Sequence, residues 1–509
     1  MNKLILITLA SIIFFFSATA QKISYTDPDR DDSKRTDFDI IGKVGGNYLI
    51  FKNNRNNDAL AVYNSDMKLQ EKVDVNKERQ KWVNVDFIPY TDDVWMIYQY
   101  QQKSILYCMA VKIDGNGKML TKPIELDTTR IGFAADNKIY TTIYSDDKKK
   151  IMVFKINSKN SKNFVFTTIL FDEQLQEKDR HILNMPMEER NDYFTDFLLD
   201  NDGAMVFGKY VRKGGGDYIT NLSLITKAPD ANDFVIHDMK TGDRVLDDIK
   251  IKIDNTNKRY LFSSLYYKQK RGNIEGLYTI TWDRGSSSIF QERLMPFTEE
   301  LRSLAKGPDA NLRIAFNDYF IKNIITRKDG GYLIIAESQY TTTRGGGPFN
   351  RWDYMGFNNP WMSPYSYYYS PYYYNSFGSP YYNRWGTGQP TRYHSENIVI
   401  LSFNKSDSLQ WSNVVSKSQY DDQTDAMISH QIMNTGGELH FLFNLYERRA
   451  LLLNDQSIGS DGKVVRNPTF KNLNRDIEFM ARYGKQISAK SMIMPCLFRN
   501  YLIFAKIDF

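Results

Sequence analysis

Along most of the chain, apolar residues fall in short runs rich in Ile, Val, Leu, Tyr and Phe, divided by polar turns. Runs of this length are too short for core helices, and their β-branched and aromatic residues suit a pleated, half-buried surface. They recur as pairs: residues 48–51 with 59–63, 94–98 with 105–111, 139–144 with 151–154, 204–207 with 218–225, 260–262 with 276–281, 332–335 with 398–401, 439–443 with 450–453, and 491–498 with 501–504. Their spacing of roughly 45 to 60 residues predicts an all-β fold, a β-propeller of seven or eight four-stranded blades. Tandem β-sandwiches are the alternative architecture.

The punctuation between runs supports the same reading. Gly45-Gly46, Gly203, Gly330-Gly331 and Gly436-Gly437 stand just before second strands, where a tight hairpin needs a positive φ that glycine adopts freely. Polar turns at 64–66, 114–117 and 404–407 follow third strands, and a further run such as 409–415 supplies a fourth. The final run, 501–509, reads as a third strand with nothing after it. Residues 22–25 are the natural fourth, closing the ring between the two termini and favouring eight blades. Residues 298–305 have helical spacing and are expected between blades.

One segment breaks the pattern. Residues 345–394 interrupt a blade between its second and third strands and hold eleven tyrosines with Trp352, Trp361 and Trp385 among Pro, Asn, Ser and Gly. Such a composition packs no aliphatic core. It is either a low-complexity loop or a contact loop, since Tyr and Trp give large amphipathic contact area at low entropic cost. The candidate partner-binding residues are Trp352, Tyr354, Trp361, Tyr367, Tyr368, Tyr369, Tyr372, Tyr373, Tyr374, Tyr381, Tyr382 and Trp385.

Composition places the chain rather than defining its chemistry. Lys3, an apolar stretch over 4–16 and Ser17-Ala18-Thr19-Ala20 read as an export signal whose cleavage leaves Gln21 first, with residues 21–509 as one propeller domain. The apolar stretch is shorter than the roughly 20 residues needed to span a bilayer, and no cysteine follows the cleavage point for lipid attachment. Mean hydropathy is −0.50, so no transmembrane segment is expected in the mature chain, and charged strand ends argue against a membrane β-barrel. The 66 basic and 60 acidic residues nearly balance, leaving +6 overall and +5 once Lys3 is removed, too diffuse for nucleic acid. Cys108 and Cys496 lie in separate strand runs, as buried thiols or a disulfide.

No motif carries recognisable catalysis. His181, His237, His394, His430 and His440 lack metal-binding spacings, although His430 and His440 could face each other across a hairpin. Asp200-Asn201-Asp202-Gly203 and Asp114-Gly115-Asn116-Gly117 resemble fragments of calcium loops but lack the later bidentate acid, and hairpin turns use the same residues. Gly214-Gly215-Gly216 and Gly345-Gly346-Gly347 lack the Lys-Ser/Thr of a phosphate loop. No cofactor, metal site or catalytic residue is assigned, and a hydrolase would need carboxylates or a Ser-His pair gathered at the central channel.

The signal ending before Gln21, the Asn/Lys/Ile-rich units and the C-terminal stretch 494–509, from Met494-Pro495-Cys496 to Lys506-Ile507-Asp508-Phe509, together resemble uncharacterised secreted β-propeller-like envelope proteins of Bacteroidota. The resemblance implies a periplasmic or outer-membrane setting and transfers no catalytic residue. It departs from type IX secretion cargo, whose sorting domains follow the functional part as separate sandwiches. The expectation is therefore a non-enzymatic scaffold that binds an envelope or outer-membrane protein complex through the propeller faces and the aromatic loop. Glycan binding or processing, and a structural role in surface adhesion, are the alternatives.

Overall fold

The computed structural model describes residues 22–509 except 30–35, 55–56, 136–137, 160–162, 187–191, 213–217, 243, 271, 308, 344–390, 423, 448–449 and 471–475. The export signal expected at 1–20 lies outside the described residues. The runs form antiparallel strands grouped into eight blades: residues 37–74, 82–130, 141–186, 192–238, 245–296, 319–421, 430–466, and 477–508 with 22–25. Blades 4 and 5 share one hydrogen-bonded sheet, because Ile219 of blade 4 pairs with Leu246 and Val245 pairs with Tyr267. Eight blades thus replaces the seven-or-eight expectation, and small blade sheets, two of them joined, replace both tandem sandwiches and a single membrane barrel.

The ring is held by the seams between blades. Each neighbouring pair encloses its own apolar cluster, from Phe51 and Phe87 between blades 1 and 2 to Ile50, Ile493 and Phe504 between blades 8 and 1. Every seam is filled, including the last. Alternation along each strand sends successive side chains to opposite faces, so one blade serves two seams. In blade 1, Ile50 enters the seam with blade 8 while Leu49 and Phe51 enter the seam with blade 2. Cys108 and Cys496 are free thiols, buried in the blade 2/3 and blade 7/8 seams respectively, so they are not bridged.

Closure takes the form read from the termini. Lys22–Tyr25 pairs antiparallel with Tyr501–Asp508, from Lys22 opposite Asp508 to Tyr25 opposite Ala505. Thr26 extends the match, donating its amide to the Phe504 carbonyl (2.9 Å) and accepting the Phe504 amide on its hydroxyl (3.0 Å).

The turns also follow their chemistry. Gly45 and Gly46 have φ of 53° and 92°, which makes the two-residue turn between Asp37–Val44 and Asn47–Asn54. The two calcium-like fragments are turns: Asp114 accepts the amides of Asn116 and Lys118, and Asp200 those of Asp202 and Ala204. Both carboxylates are thereby used by the backbone. Gly276, at a bulge in blade 5, has a different reason. A Cβ there would collide with the carbonyl of Met295 on the paired strand. Gly276→Ala is expected to cost about 2 kcal/mol by forcing two strands apart, read as a lower urea midpoint; an unchanged midpoint would overturn this account.

The predicted helix, α1, spans Glu299–Lys306 and lies between blades 5 and 6. Thr298 caps it by accepting the Leu301 amide, Glu299 and Glu300 sit in its first turn, and Lys306 in its last, as the helix dipole favours.

Candidate functional site

The aromatic insertion leaves the ring from blade 6. Its flanking strands, Tyr332–Thr343 and Thr391–Phe403, have 12 and 13 residues, the longest pair among the described residues, and stay paired, past a bulge between Glu337 and Gln339, up to Thr343 opposite Thr391. The expected loop boundary at 394 is therefore corrected: residues 391–394 are strand. A polar β extension beyond the core has no apolar alternation to betray it. The candidate contacts Trp352, Tyr354, Trp361, Tyr367, Tyr368, Tyr369, Tyr372, Tyr373, Tyr374, Tyr381, Tyr382 and Trp385 lie outside the described residues.

What the structure does describe is a braced foot beneath them. The Tyr340 ring stacks on the His394 ring across the strand pair at 4.4 Å. Arg392 grips Asp422 with two hydrogen bonds, of 2.6 and 3.0 Å, while its guanidinium lies 4.5 Å from the ring centre of Tyr420, which is 63% exposed. On the inner side, Tyr340 donates to Glu396 (2.8 Å), and Lys306 of α1 donates to Glu396 (2.7 Å) and Asp318 (2.6 Å). Burial opposes ionisation of Glu396, but the hydrogen bond and charge of Lys306 and the Tyr340 hydroxyl outweigh it and hold the carboxyl below its usual range.

Below this foot, Glu337 is completely buried and receives five donors: Ser395 (2.9 Å), Lys417 (2.9 Å) and His430 Nδ1 (2.9 Å) on one oxygen, Gln339 (2.7 Å) and Ser429 (2.6 Å) on the other. These groups come from blade 6, the connection after it and the first strand of blade 7. Burial would push the Glu337 carboxyl up, but Lys417 and His430 hold it well down. His440, which could have faced His430 across the hairpin, lies against Asp455 at 3.0 Å, and the two histidines pair with different residues. Among the described residues no three His, Cys, Asp or Glu side chains gather as a metal site.

The first strands of the blades and the turns beside them surround the central channel, and opposite charges meet there between adjoining blades: Lys485 of blade 8 acts on Asp39 of blade 1, and Lys250 of blade 5 on Asp196 of blade 4. Asp39, Asp86 and Asp196 belong to blades 1, 2 and 4; Lys250, Lys322 and Lys485 belong to blades 5, 6 and 8. Tyr144 of blade 3 feels the charge of Asp39 of blade 1, and Lys322 of blade 6 that of Arg482 of blade 8. Removal from water raises Asp39 above the usual carboxylate range, and lowers the Lys322 amine to about 8 against the pull of Glu337.

Lys322 is held from behind. It occupies a bulge in Tyr319–Thr326 and donates to Gln339 Oε1 at 2.5 Å; Gln339 in turn donates to Glu337. Sequence reading singled out neither Glu337 nor Lys322. The one local signal was a carboxylate inside Ile334-Ile335-Ala336-Glu337, where the run is otherwise apolar.

Neither a family model nor a curated protein matches the chain. Among solved structures it is similar to prolyl oligopeptidase B from Galerina marginata, at 9% identity and a TM-score of 0.42, covering 92% of this chain and 56% of that one. It is also similar to an ulvan lyase of a polysaccharide lyase family (11% identity, TM-score 0.36, 82% and 90% covered). A third likeness is to an apocarotenoid oxygenase of Synechocystis (8% identity, TM-score 0.33, 75% and 73% covered). The chain spans only 56% of the length of the oligopeptidase chains it matches, and similarities this loose assign no residue of the site.

Proposed function

We propose that the protein is a non-enzymatic recognition scaffold of a bacterial cell envelope, exported to the periplasm or outer membrane, which grips a partner protein complex with the insertion on blade 6. The mounting of that insertion carries the reading. Strands that outrun the blade, the Tyr340–His394 stack and the Lys306–Glu396–Tyr340 brace make a stiff support for an aromatic-rich segment. Recognition commonly sits on loops held by a rigid frame, and aromatic side chains there bind at little entropic cost.

Replacing residues 344–390 by Asn-Gly tests it, since Thr343 and Thr391 are already opposed and a two-residue turn closes such a pair. The shortened protein is expected to melt within a few degrees of the original and to lose the complex that the full chain captures from envelope membranes of its host. Capture of the same complex would overturn the proposal. A glycan array on both proteins adds the remaining outcome: binding that vanishes with the insertion would make the partner a glycan rather than a protein.

A further inference from the structure

The antiparallel order repeated in every blade gives the two faces of the ring different connections. Turns from first to second and from third to fourth strands lie on one face; second strands end and third strands begin on the other, where the chain also crosses between blades. The turns of the first face hold twelve basic and twelve acidic residues. The eight segments between second and third strands hold thirteen basic and two acidic ones, with a Lys or Arg in every blade, and the crossings are near balance at seventeen to nineteen. The positive excess therefore belongs to the face from which the insertion departs.

On that face, basic side chains stand beside exposed apolar ones. Gln101 donates to the carbonyls of Lys103 (2.8 Å) and Phe133 (2.9 Å), fixing the blade 2 hairpin of Lys103 and Ile105 against the crossing to blade 3. Ile105 and Phe133 are 38% and 37% exposed. Blade 5 repeats the arrangement. Asn317 donates its side chain to Asn273 (2.8 Å) and its amide to the Ile314 carbonyl (3.0 Å), tying the segment 268–273, with Lys268 and Lys270, to the turn that carries Arg313 and Ile314. Ile314 and Leu304 of α1 are half-exposed. Lys103, Lys268, Lys270 and Arg313 are exposed and have no carboxylate partner among the described residues.

Single exposed apolar residues and single lysines are ordinary on a protein surface. Their one-sided gathering is not. An acidic peptide would meet the charges of a few blades only; basic residues on all eight, with apolar tips among them, match a flat anionic surface that has an apolar layer beneath it. We propose that this face docks on an anionic phospholipid bilayer, its lysines at the headgroups and Phe133 and Ile314 entering the acyl boundary. This goes beyond the partner assigned to the insertion and does not depend on it.

The test is flotation of the chain from Gln21 onward with vesicles of phosphatidylcholine alone, or mixed two to one with phosphatidylglycerol. It is repeated with residues 344–390 replaced by Asn-Gly. Both proteins are expected to bind only the anionic vesicles and to be released by high salt. The triple variant Lys103→Glu/Lys268→Glu/Lys270→Glu should bind about a hundredfold more weakly at an unchanged melting temperature. In the shortened protein, Phe133→Trp should add fluorescence that brominated acyl chains quench, whereas Leu120→Trp, in a turn of the opposite face, should add fluorescence that they do not. Failure to bind anionic vesicles, equal binding to both vesicle types, full binding by the triple variant or equal quenching of the two reporters would each overturn the proposal. So would binding to soluble dextran sulfate without binding to vesicles, which would make the partner a polyanionic chain. Vesicle binding lost on shortening alone would place the membrane contact in the insertion and overturn it too. The flotation and salt arms leave the face unaltered, so they decide the matter even if a variant misfolds.

Discussion

Glu337→Ala is expected to destabilise the propeller by about 3–5 kcal/mol, the cost of leaving one member of a buried ion pair without its partner. The Lys417 ammonium is completely buried, and besides Glu337 it has only Ser395 (2.7 Å) and Gln419 (2.7 Å), neither of which carries charge. Ser395, Ser429, Gln339 and His430 would lose an acceptor at the same time. The double variant Glu337→Met/Lys417→Met should recover a large part of the loss, because it removes both charges and refills the space with apolar atoms. Urea unfolding of the three proteins checks this; a loss below about 1 kcal/mol in the single variant would mean the pair adds nothing beyond a surface ion pair.

The same group sets an acid limit. The Glu337 carboxyl is held well below its ordinary value in the folded protein, so protons bind it more readily once unfolded. Its stabilisation is complete above the unfolded value of about 4.3 and is lost as pH falls toward the folded one. The double methionine variant should lack that part of the acid sensitivity, seen as a flatter dependence of urea midpoint on pH below about 5.

The parts of this fold that were legible in the sequence are those whose signal is local. Tyr48-Leu49-Ile50-Phe51 announces a strand by itself, Gly45-Gly46 announces its turn, and Lys22-Ile23-Ser24-Tyr25 could be matched to the unpaired last strand because both ends lay in view. The buried cluster was not legible, since Glu337, Ser395, Lys417 and His430 are far apart in the chain and only the meeting of blades 6 and 7 assembles them. The channel hid for the same reason. Asp39, Lys322 and Lys485 look like ordinary polar positions in half-exposed strands, and their significance lies in which other strands face them. Residues 391–394 were missed differently: Arg392, Tyr393 and His394 have loop-like composition, and their strand is held by pairing with Tyr340, Thr341 and Thr342 rather than by burial.

Removal of residues 22–29 is expected to open the ring, with a loss of about 3 kcal/mol from the contacts of two partly buried side chains and a set of backbone hydrogen bonds. Ile23 and Tyr25 pack on the blade 7/8 seam, while Thr26 ties its amide and hydroxyl to Phe504. Without them Tyr501–Asp508 becomes a bare edge whose side chains are mostly apolar, Leu502, Ile503, Phe504, Ala505 and Ile507. Such an edge is a template for pairing with another chain. The truncated protein should therefore associate as concentration rises, seen by light scattering, as well as unfold at lower urea. Adding a synthetic peptide of residues 22–29 should reverse both effects, because the missing strand contributes through pairing and needs no covalent link to do so. Recovery by that peptide but not by one with Ile23 and Tyr25 changed to serine would assign the effect to this strand's register, in which those two side chains face the seam. A truncated protein that stays monomeric and equally stable would show instead that the seam between blades 8 and 1 closes the ring without its outermost strand.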